Sequence, residues 1–177
     1  MSDLLKISLP LTEDVVKSLH AGTHVLLNGT VYTARDAAHK RIVAALNSND
    51  KLPFELKNAT IYYTGPSPSP PERVIGSAGP TTSYRMDPYT SQVLKAGVKG
   101  LIGKGMRGEE VAAALKKYTA VYFAAIGGAG ALLSNCIKSC EVIAYDDLGT
   151  EAVHKLLFED FPVIVAQDAF GGNVYSA

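Results

Sequence analysis

The feature of this sequence that most constrains its fold is the alternation of short apolar runs with helical patterns after residue 80. Apolar runs typical of buried strands are separated by stretches in which apolar residues recur at helical spacing. The predicted strands are 100–102, 120–124, 141–144 and 163–166, and the predicted helices are 81–95, 109–117, a segment from 128 onward and 150–157. Strands that alternate with helices favour a mainly parallel sheet with helices packed on it. The second half of the chain therefore predicts an α/β fold.

The first half of the chain predicts a hairpin in addition to helices. Asn28-Gly29 separates two apolar runs, and this dipeptide is the strongest short signal for a tight β-hairpin turn. Thr12 and Arg35 begin helical patterns, and further strands are predicted at 59–64 and 73–75. The predicted class is therefore α/β, with an early hairpin, later strand-helix units and a mixed sheet in a layered β/β/α arrangement.

Size and charge set limits on the organisation of the chain. Its 177 residues, 47% of them hydrophobic, suffice for one domain with a sizeable core. The proline-rich stretch 65–71 is too short to separate domains, so we expect residues 1–177 to form a single domain. Seventeen basic residues balance seventeen acidic ones, which gives no electrostatic case for nucleic acid or an anionic membrane. A signal-peptide pattern and a membrane-length apolar run are both missing, so a cytoplasmic location is expected.

The cysteine content restricts which metal centres the chain could hold. Cys136 and Cys140 are the only cysteines, and their spacing in an apolar segment is typical of buried structural thiols. An iron-sulfur cluster needs three or four cysteine ligands, so we expect this chain to hold no metal by itself. No nucleophile elbow or paired acid and base stands out either. As a solitary enzyme the chain looks incomplete.

Three basic residues lie where a strand or loop passes into a helix: Arg35, Arg85 and Lys104. Helix starts present free backbone N–H groups, and each of these junctions adds a fixed positive charge, so their convergence would bind a dicarboxylate firmly. A single arginine at a helix start is more often a solvated or capping residue. Three such junctions make the functional and the structural interpretations about equal in weight, and Arg107 is a fourth, less certain candidate.

The run 79–87 concentrates polar groups in one turn. It holds the hydroxyls of Thr81 and Thr82 between Gly79 and Asp87, together with the guanidinium of Arg85. A helix that begins near Thr81 would place Thr81 and Arg85, four residues apart, on one face. An arginine in a first helical turn opposes the helix dipole unless an anion also binds there. The run therefore predicts a carboxylate or phosphate pocket.

A second interpretation rests on the glycine pattern of residues 103–108, which matches G-x-G-x-x-G between a predicted strand and a predicted helix. This context is the one required for dinucleotide binding. The acidic residue expected ~20 positions later is missing, because apolar and aromatic residues occupy 122–125. A nucleotide-binding or regulatory module stays open as the alternative from another functional class.

Several motifs together resemble a known enzyme family, namely the β subunit, or C-terminal domain, of class I iron-sulfur fumarate hydratases and L-tartrate dehydratases. The motifs that carry the resemblance are at 34–41, 79–87, 103–106, 126–131, 145–152 and 160–162. They span nearly the entire chain, and their order is more specific than any one of them. Tyr84 and Phe170 depart from the family pattern, since family members often have another residue at the first position and a histidine at the second.

The resemblance implies a swivelling β/β/α domain that works only in a heteromer with an α subunit. That α subunit would hold a [4Fe–4S] cluster through three cysteines and leave the fourth iron position open to substrate. The implied reaction is the reversible hydration of fumarate to (S)-malate, a step of the tricarboxylic acid cycle. L-tartrate dehydratase and mesaconate hydratase are the alternatives within the family, and the small dicarboxylate and the α subunit are the implied partners.

The resemblance also implies roles for individual residues. Arg35, Arg85 and Lys104 would bind the substrate carboxylates, with Thr82 beside them, and Thr81 would lie at the proton-transfer position. The supporting residues would be Asp36, His39, Gly79 and Asp87. Threonine is a weak base at its free pKa, so the role of Thr81 as a base is a hypothesis.

Overall fold

The computed structural model describes residues 4–125 and 129–176. In this part of the chain seven strands form one mixed sheet. The strands are β1 (Leu5–Ser8), β2 (His24–Thr33), β3 (Thr60–Tyr62), β4 (Gly100–Gly103), β5 (Val121–Ala124), β6 (Ile137–Ala144) and β7 (Val153–Gln167). The α-helices are α1 (Glu13–Ser18), α2 (Asp36–Ser48), α3 (Asp87–Lys95), α4 (Glu109–Lys117) and α5 (Gly130–Leu133). Short 3₁₀ turns occur at Ser83–Met86, Ser134–Cys136 and Asp146–Glu151.

The sheet combines a parallel part with one long antiparallel strand. Strands β1 to β5 pair in parallel in chain order, as a strand-helix alternation predicts. Strand β7 pairs antiparallel with β5, with β6 and with β2, so the pairings of β2, β3, β4, β5 and β7 form a closed circuit. The mixed α/β class predicted from the sequence is confirmed, and the arrangement is compatible with a three-layer α/β domain.

The two faces of the sheet pack into two separate hydrophobic clusters. Side chains alternate between faces along a strand, so Tyr62 packs in one cluster with Phe158 and Phe161. Its neighbours Ile61 and Tyr63 pack in the other cluster, with apolar residues of α2, α3 and α4. Helices α2, α3 and α4 therefore cover one face, whereas α1 and α5 pack with strand residues in the other core.

The predicted hairpin at Asn28-Gly29 is wrong, because β2 runs through both residues without turning. The pairing register between β2 and β7 shifts at this point, and Gly29 has a φ of 128°. The Asn28 side chain donates to Asp160 Oδ1 at 3.1 Å and accepts from the Asp160 backbone N at 2.9 Å. A Cβ at Gly29 would lie 2.9 Å from the Leu9 backbone O. Asn28 thus stabilises an irregular pairing of β2 with β7, and Gly29 allows the backbone at Leu9 to approach closely.

The predicted helix at 150–157 is also wrong, since this stretch enters β7. Residues 155–159 alternate between exposed and buried, the period-2 pattern of a strand with one covered face. The predicted strand at 73–75 is a loop. Beyond Gly128, which lies outside the described residues, the helix α5 is only four residues long. By contrast, the predictions at 100–102, 109–117, 120–124 and 141–144 are confirmed.

None of the helices within residues 4–125 and 129–176 combines the length and the apolar character needed to cross a membrane.

Candidate active site

The carboxyl ends of β2, β3 and β4 meet at one edge of the sheet, because these strands run in parallel. Ala34 N donates to Tyr62 O at 3.1 Å, so Arg35 follows immediately beside the end of β3. Lys104 comes directly after β4. The topology therefore brings two of the predicted cationic residues to the carboxyl ends of parallel strands, where both open and closed α/β sheets generally bind ligands.

The Thr81 segment is fixed at the same edge by backbone hydrogen bonds. Thr81 N donates to Tyr63 O at 2.7 Å, and Ser83 N donates to Lys104 O at 3.0 Å. Thr82 and Lys104 pair in a parallel bridge. Gly103 makes room for this approach, since a Cβ there would lie 2.0 Å from Ser83 Oγ. Three of the predicted site residues, Thr81, Thr82 and Lys104, are thus brought together by main-chain contacts.

The predicted helix start at Thr81 is wrong. Thr82 is extended, with φ −62° and ψ 121°, and the 3₁₀ turn begins at Ser83. The pairing with Lys104 holds the segment extended, so Thr81 and Arg85 do not share a helical face. Arg85 is exposed in the 3₁₀ turn that leads into α3. The run 79–87 therefore presents its polar groups from a strand-like segment followed by a tight turn.

Arg35 is a partly covered arginine with little of its hydrogen-bonding capacity used. It occupies the N-cap position of α2, and its side chain is 26% exposed. A Cβ at Gly65 would lie 3.2 Å from Arg35 Cδ, so the side chain packs across that glycine. Arg35 Nε lies 3.8 Å from Glu151 Oε1, and neither atom has a hydrogen bond within the described residues. Packing therefore orients the guanidinium while its charge stays available to a ligand.

His39 supports the turn that presents Arg35. Its ring is fully buried, with Nδ1 2.9 Å from Arg35 O and an edge contact to the Tyr63 ring at 5.5 Å. A carbonyl only accepts, so Nδ1 carries the proton. Burial lowers the pKa of His39 to about 4, and the side chain is neutral near pH 7. Asp36, the residue after Arg35, begins α2, and its Oδ1 is buried without a hydrogen bond in the described part of the chain.

Asp87 and Arg107 form a buried ion pair below the Lys104 turn. Arg107 Nε donates to Asp87 Oδ1 at 2.7 Å, and Nη2 donates to Thr90 Oγ1 at 2.8 Å and to the Tyr63 hydroxyl at 3.2 Å. The Arg107 side chain is 0% exposed, and its guanidinium stacks over the rings of Tyr63 and Tyr122. These contacts hold Arg107 in the interior. It is therefore not a candidate for ligand binding beside Arg35, Arg85 and Lys104. Tyr63 directly follows β3 and Tyr122 lies in β5, two strands that flank β4, and no local sequence pattern predicts that both rings meet Arg107.

Gly79 lies where two loops pack closely. Its carbonyl accepts from Thr64 Oγ1 at 2.7 Å, and a Cβ at this position would be 3.4 Å from Gly130 Cα. This contact places Gly79 under the Thr81 segment, next to residues that follow β3. Gly127 and Gly128, which belong to the motif 126–131, lie outside the described residues.

The contacts of residues 103–108 argue against a phosphate cradle. The Gly108 backbone N already donates to Asp87 Oδ2 at 2.8 Å, and Gly105 O accepts from the Tyr122 hydroxyl. The first turn of α4 contains Glu109 and Glu110. Three carboxylates thus surround the helix start that a dinucleotide would need, and they would repel its phosphates.

A cavity of about 420 Å³ lies elsewhere, under the proline-rich loop. Its lining includes Pro66, Val142 and His154 and contains none of the predicted carboxylate-binding residues. Its walls are largely apolar. Arg35, Thr81, Arg85 and Lys104 therefore lie outside this cavity.

The residues of this chain do not fit an iron-sulfur cluster. Within the described ranges no three histidine, cysteine or acidic side chains are grouped as metal ligands. Cys136 and Cys140 are half-buried free thiols, and burial raises the pKa of both. Protonated thiols are poor ligands, and two cysteines are too few for a cluster.

Comparison with known proteins identifies the family of this chain. The family model described as "Fumarase C-terminus" matches residues 2–177. A Methanocaldococcus jannaschii protein provisionally named L(+)-tartrate dehydratase subunit beta is 42% identical over 171 residues, which cover 93% of this chain and 88% of that protein.

Two longer relatives carry another name. Fumarate hydratase 2 of Leishmania major is 40% identical over 88% of this chain, and the aerobic class I fumarate hydratase of Escherichia coli K12 is 38% identical over 86%. The chain spans only 28% of the length of each of these two proteins. The family match over residues 2–177 and the identity to these relatives show that the chain belongs to the fumarase C-terminus family, whose relatives named here are hydro-lyases.

Proposed function

We propose that this protein is the β subunit of a class I hydro-lyase that reversibly hydrates fumarate to (S)-malate. The observation that carries the proposal is the backbone pairing of Thr81–Ser83 with Lys104 at the sheet edge where Arg35 also emerges. The pairing puts the backbone of Thr81 and Thr82 beside Lys104, and Arg35 follows β2 at the same edge, which supports a shared binding surface. A small molecule with two carboxylates is the ligand that such a surface fits best.

The chemistry explains why cations are needed at this edge. In the dehydration direction a weakly acidic C–H next to a carboxylate must lose its proton, and negative charge then builds on that carboxylate. Arg35, Arg85 and Lys104 would stabilise this charge more strongly in the transition state than in the ground state. Arg35 suits this role because its Nε makes only a 3.8 Å contact with Glu151.

Thr81 is proposed to transfer the proton at the carbon next to the bound carboxylate. A free hydroxyl is a poor base, so the neighbouring cations would have to favour its deprotonated form. The short bond from Thr81 N to Tyr63 O fixes the residue's backbone, which supports a positioned role. Thr82, paired with Lys104, would help to orient the substrate.

A partner would hold the [4Fe–4S] cluster, because this chain lacks the ligands for it. The cluster would supply the Lewis acid that binds the hydroxyl group of the substrate. The fumarate hydratases of Leishmania major and Escherichia coli are more than three times as long as the matched region. This difference supports the proposal that a second polypeptide supplies the remaining part beside this chain. Tyr84 and Met106, 61% and 65% exposed, are close in sequence to Arg85 and Lys104 and are apolar surface that such a partner could cover.

L-tartrate is the second candidate substrate, because the Methanocaldococcus jannaschii relative covers almost the same length as this chain. Mesaconate is a third. Fumarate remains our choice because the regions around Arg35 and the proline-rich stretch 65–71 are similar to those of class I fumarate hydratases. We also propose that residues 1–177 form one domain and that the complex is a cytoplasmic heteromer.

The test is anaerobic co-expression with a cysteine-containing α subunit, followed by assays with fumarate, L-tartrate and mesaconate. We expect turnover by the complex, with fumarate preferred, and none by this chain alone. Lys104→Met should abolish most of the activity, whereas Lys95→Met, the same change at an exposed position of α3, should leave it intact. Activity of the isolated chain, or tight binding of a dinucleotide, would overturn the proposal.

A further inference from the structure

A buried hydroxyl connects the two segments that carry the proposed catalytic groups. Tyr122 lies in β5 with a fully buried side chain, and its hydroxyl donates to Gly105 O at 2.8 Å. The same oxygen lies 2.8 Å from Ser83 Oγ. Because Gly105 O can only accept, the Tyr122 hydroxyl donates its hydrogen bond there and accepts a hydrogen bond from the Ser83 hydroxyl.

The two partners of this hydroxyl are next to the site residues. Ser83 lies midway between Thr81 and Arg85, and Gly105 follows Lys104 directly. The backbone bond from Ser83 N to Lys104 O, at 3.0 Å, joins the same two segments. Tyr122 therefore adds a side-chain link beneath the backbone pairing, and both links hold Thr81 at a fixed distance from Lys104.

The tyrosine ring itself is held in place. The Arg107 guanidinium lies 4.8 Å from its centroid, and the ion pair of Arg107 with Asp87 fixes that guanidinium. Burial raises the pKa of Tyr122 well above its ordinary value, so the hydroxyl remains a donor across the range in which proteins are folded. Nothing in this arrangement exposes the hydroxyl to a substrate.

We propose that Tyr122 is a positioning residue, whose hydroxyl sets the placement of Thr81 and Arg85 relative to Lys104 and thereby the efficiency of proton transfer. This inference rests on the function proposed above. A displacement of about 1 Å between reacting groups can cost roughly a hundredfold in rate. Removing a single buried hydroxyl should therefore affect turnover far more than its contribution to folding would suggest.

The experiment compares Tyr122→Phe with wild type in the co-expressed complex. We expect kcat/KM to fall about tenfold or more, with a raised KM because Lys104 contacts the carboxylate. The deuterium isotope effect on dehydration of malate labelled at the carbon that loses the proton should increase, because proton transfer becomes slower. A variant that merely lowers the folded fraction would reduce kcat and leave both KM and the isotope effect unchanged.

Tyr62→Phe is the matched control. Tyr62 is equally buried, and its hydroxyl donates to Ala78 O and to neither Ser83 nor the Lys104 turn. It should show a similar loss of stability with the KM and isotope effect of wild type. Ser83→Ala provides a second way to break the same link, and the effects of the two site variants should be less than additive when combined.

The outcomes separate the two proposals. A wild-type complex that turns over none of the three acids removes the proposed function. An active wild-type complex in which Tyr122→Phe keeps the wild-type KM and isotope effect overturns the positioning role alone. If Tyr122→Phe fails to fold, Ser83→Ala decides the question by the same two measurements.

Discussion

Arg107 and Arg35 lie near the same edge of the sheet, yet their charges are used in opposite ways. Arg107 is 0% exposed and donates to Asp87, Thr90 and Tyr63. Arg35 is 26% exposed, and its Nε makes only the 3.8 Å contact with Glu151. A guanidinium that is buried and paired holds the structure, whereas one that is oriented by packing and left without short hydrogen bonds can receive a ligand.

The neighbours of each arginine explain this difference. Arg107 stacks between the rings of Tyr63 and Tyr122, which exclude water and favour a planar cation. Arg35 packs across Gly65, whose missing side chain leaves space beside the guanidinium. Aromatic rings beside Arg107 and a glycine beside Arg35 therefore decide what each arginine can do.

The largest expected effect comes from breaking the buried pair. Arg107→Met would leave the Asp87 carboxylate buried without its counter-charge, and the free energy of unfolding should drop by about 3–5 kcal/mol. Urea denaturation of the purified protein measures this loss. The same replacement at the exposed Arg85 should leave the unfolding midpoint nearly unchanged, and an equal loss in both variants would contradict the distinction.

The second expected effect concerns His39, whose buried ring contacts Arg35 O and the Tyr63 ring. Its pKa is about 4 in the folded chain, against 6.5 ordinarily, so the unfolded chain takes up a proton first as the pH falls. Stability should be fully present above pH 6.5 and decline between pH 6.5 and 4, by up to about 3 kcal/mol.

Urea midpoints of His39→Gln between pH 7 and pH 4.5 should show a weaker decline than those of wild type. His24→Gln, at an exposed histidine, is the control and should retain the wild-type dependence. Identical slopes for wild type and His39→Gln would mean that His39 is not held neutral by burial.

A third expected effect tests Arg35, the arginine proposed to bind the substrate carboxylate. Arg35→Lys keeps the charge but loses the planar fork, so KM for the dicarboxylate should rise roughly ten- to a hundredfold, the equivalent of one charged hydrogen bond. Arg85→Lys should behave similarly. Unfolding midpoints should stay close to wild type in both, and unchanged kinetics in the complex would remove the residue from the site.

The smallest effect is expected at Arg41, a third kind of arginine in this molecule. Its Nη1 donates to Asp147 Oδ1 at 2.8 Å on the exposed surface. Solvent screens such pairs, so Asp147→Asn should change neither KM nor the unfolding midpoint by more than the error of measurement. A raised KM would show that the 3₁₀ turn at Asp146–Glu151 also orients Arg35.

The sequence predicted those features that depend on local pattern. Helix α4 has a clear amphipathic repeat between a glycine and two lysines, and its bounds were predicted correctly. Local patterns likewise predicted that Arg35 and Lys104 come directly after strands. Parallel pairing then made their meeting at one edge a matter of topology.

The remaining features depend on partners distant in the chain. Asn28-Gly29 has the local chemistry of a turn, but Asp160, more than a hundred residues away, makes it part of an irregular strand pairing. The pairing of Thr82 with Lys104 likewise overrides the helical tendency of the segment that follows Gly79. The link through Tyr122 could not be predicted, since nothing in the sequence shows which hydroxyl faces which carbonyl.

Because β7 pairs with β2, the stability of the sheet and the shape of the surface at its carboxyl edge depend on different residues. The central strands are hydrogen-bonded on both sides, so their stability does not depend on the short segments that follow them. Replacements at outward positions such as Tyr84 and Met106 alter the shape of the adjoining surface without loosening the strands beneath. The same frame occurs in relatives that are named after different small acids, tartrate and fumarate.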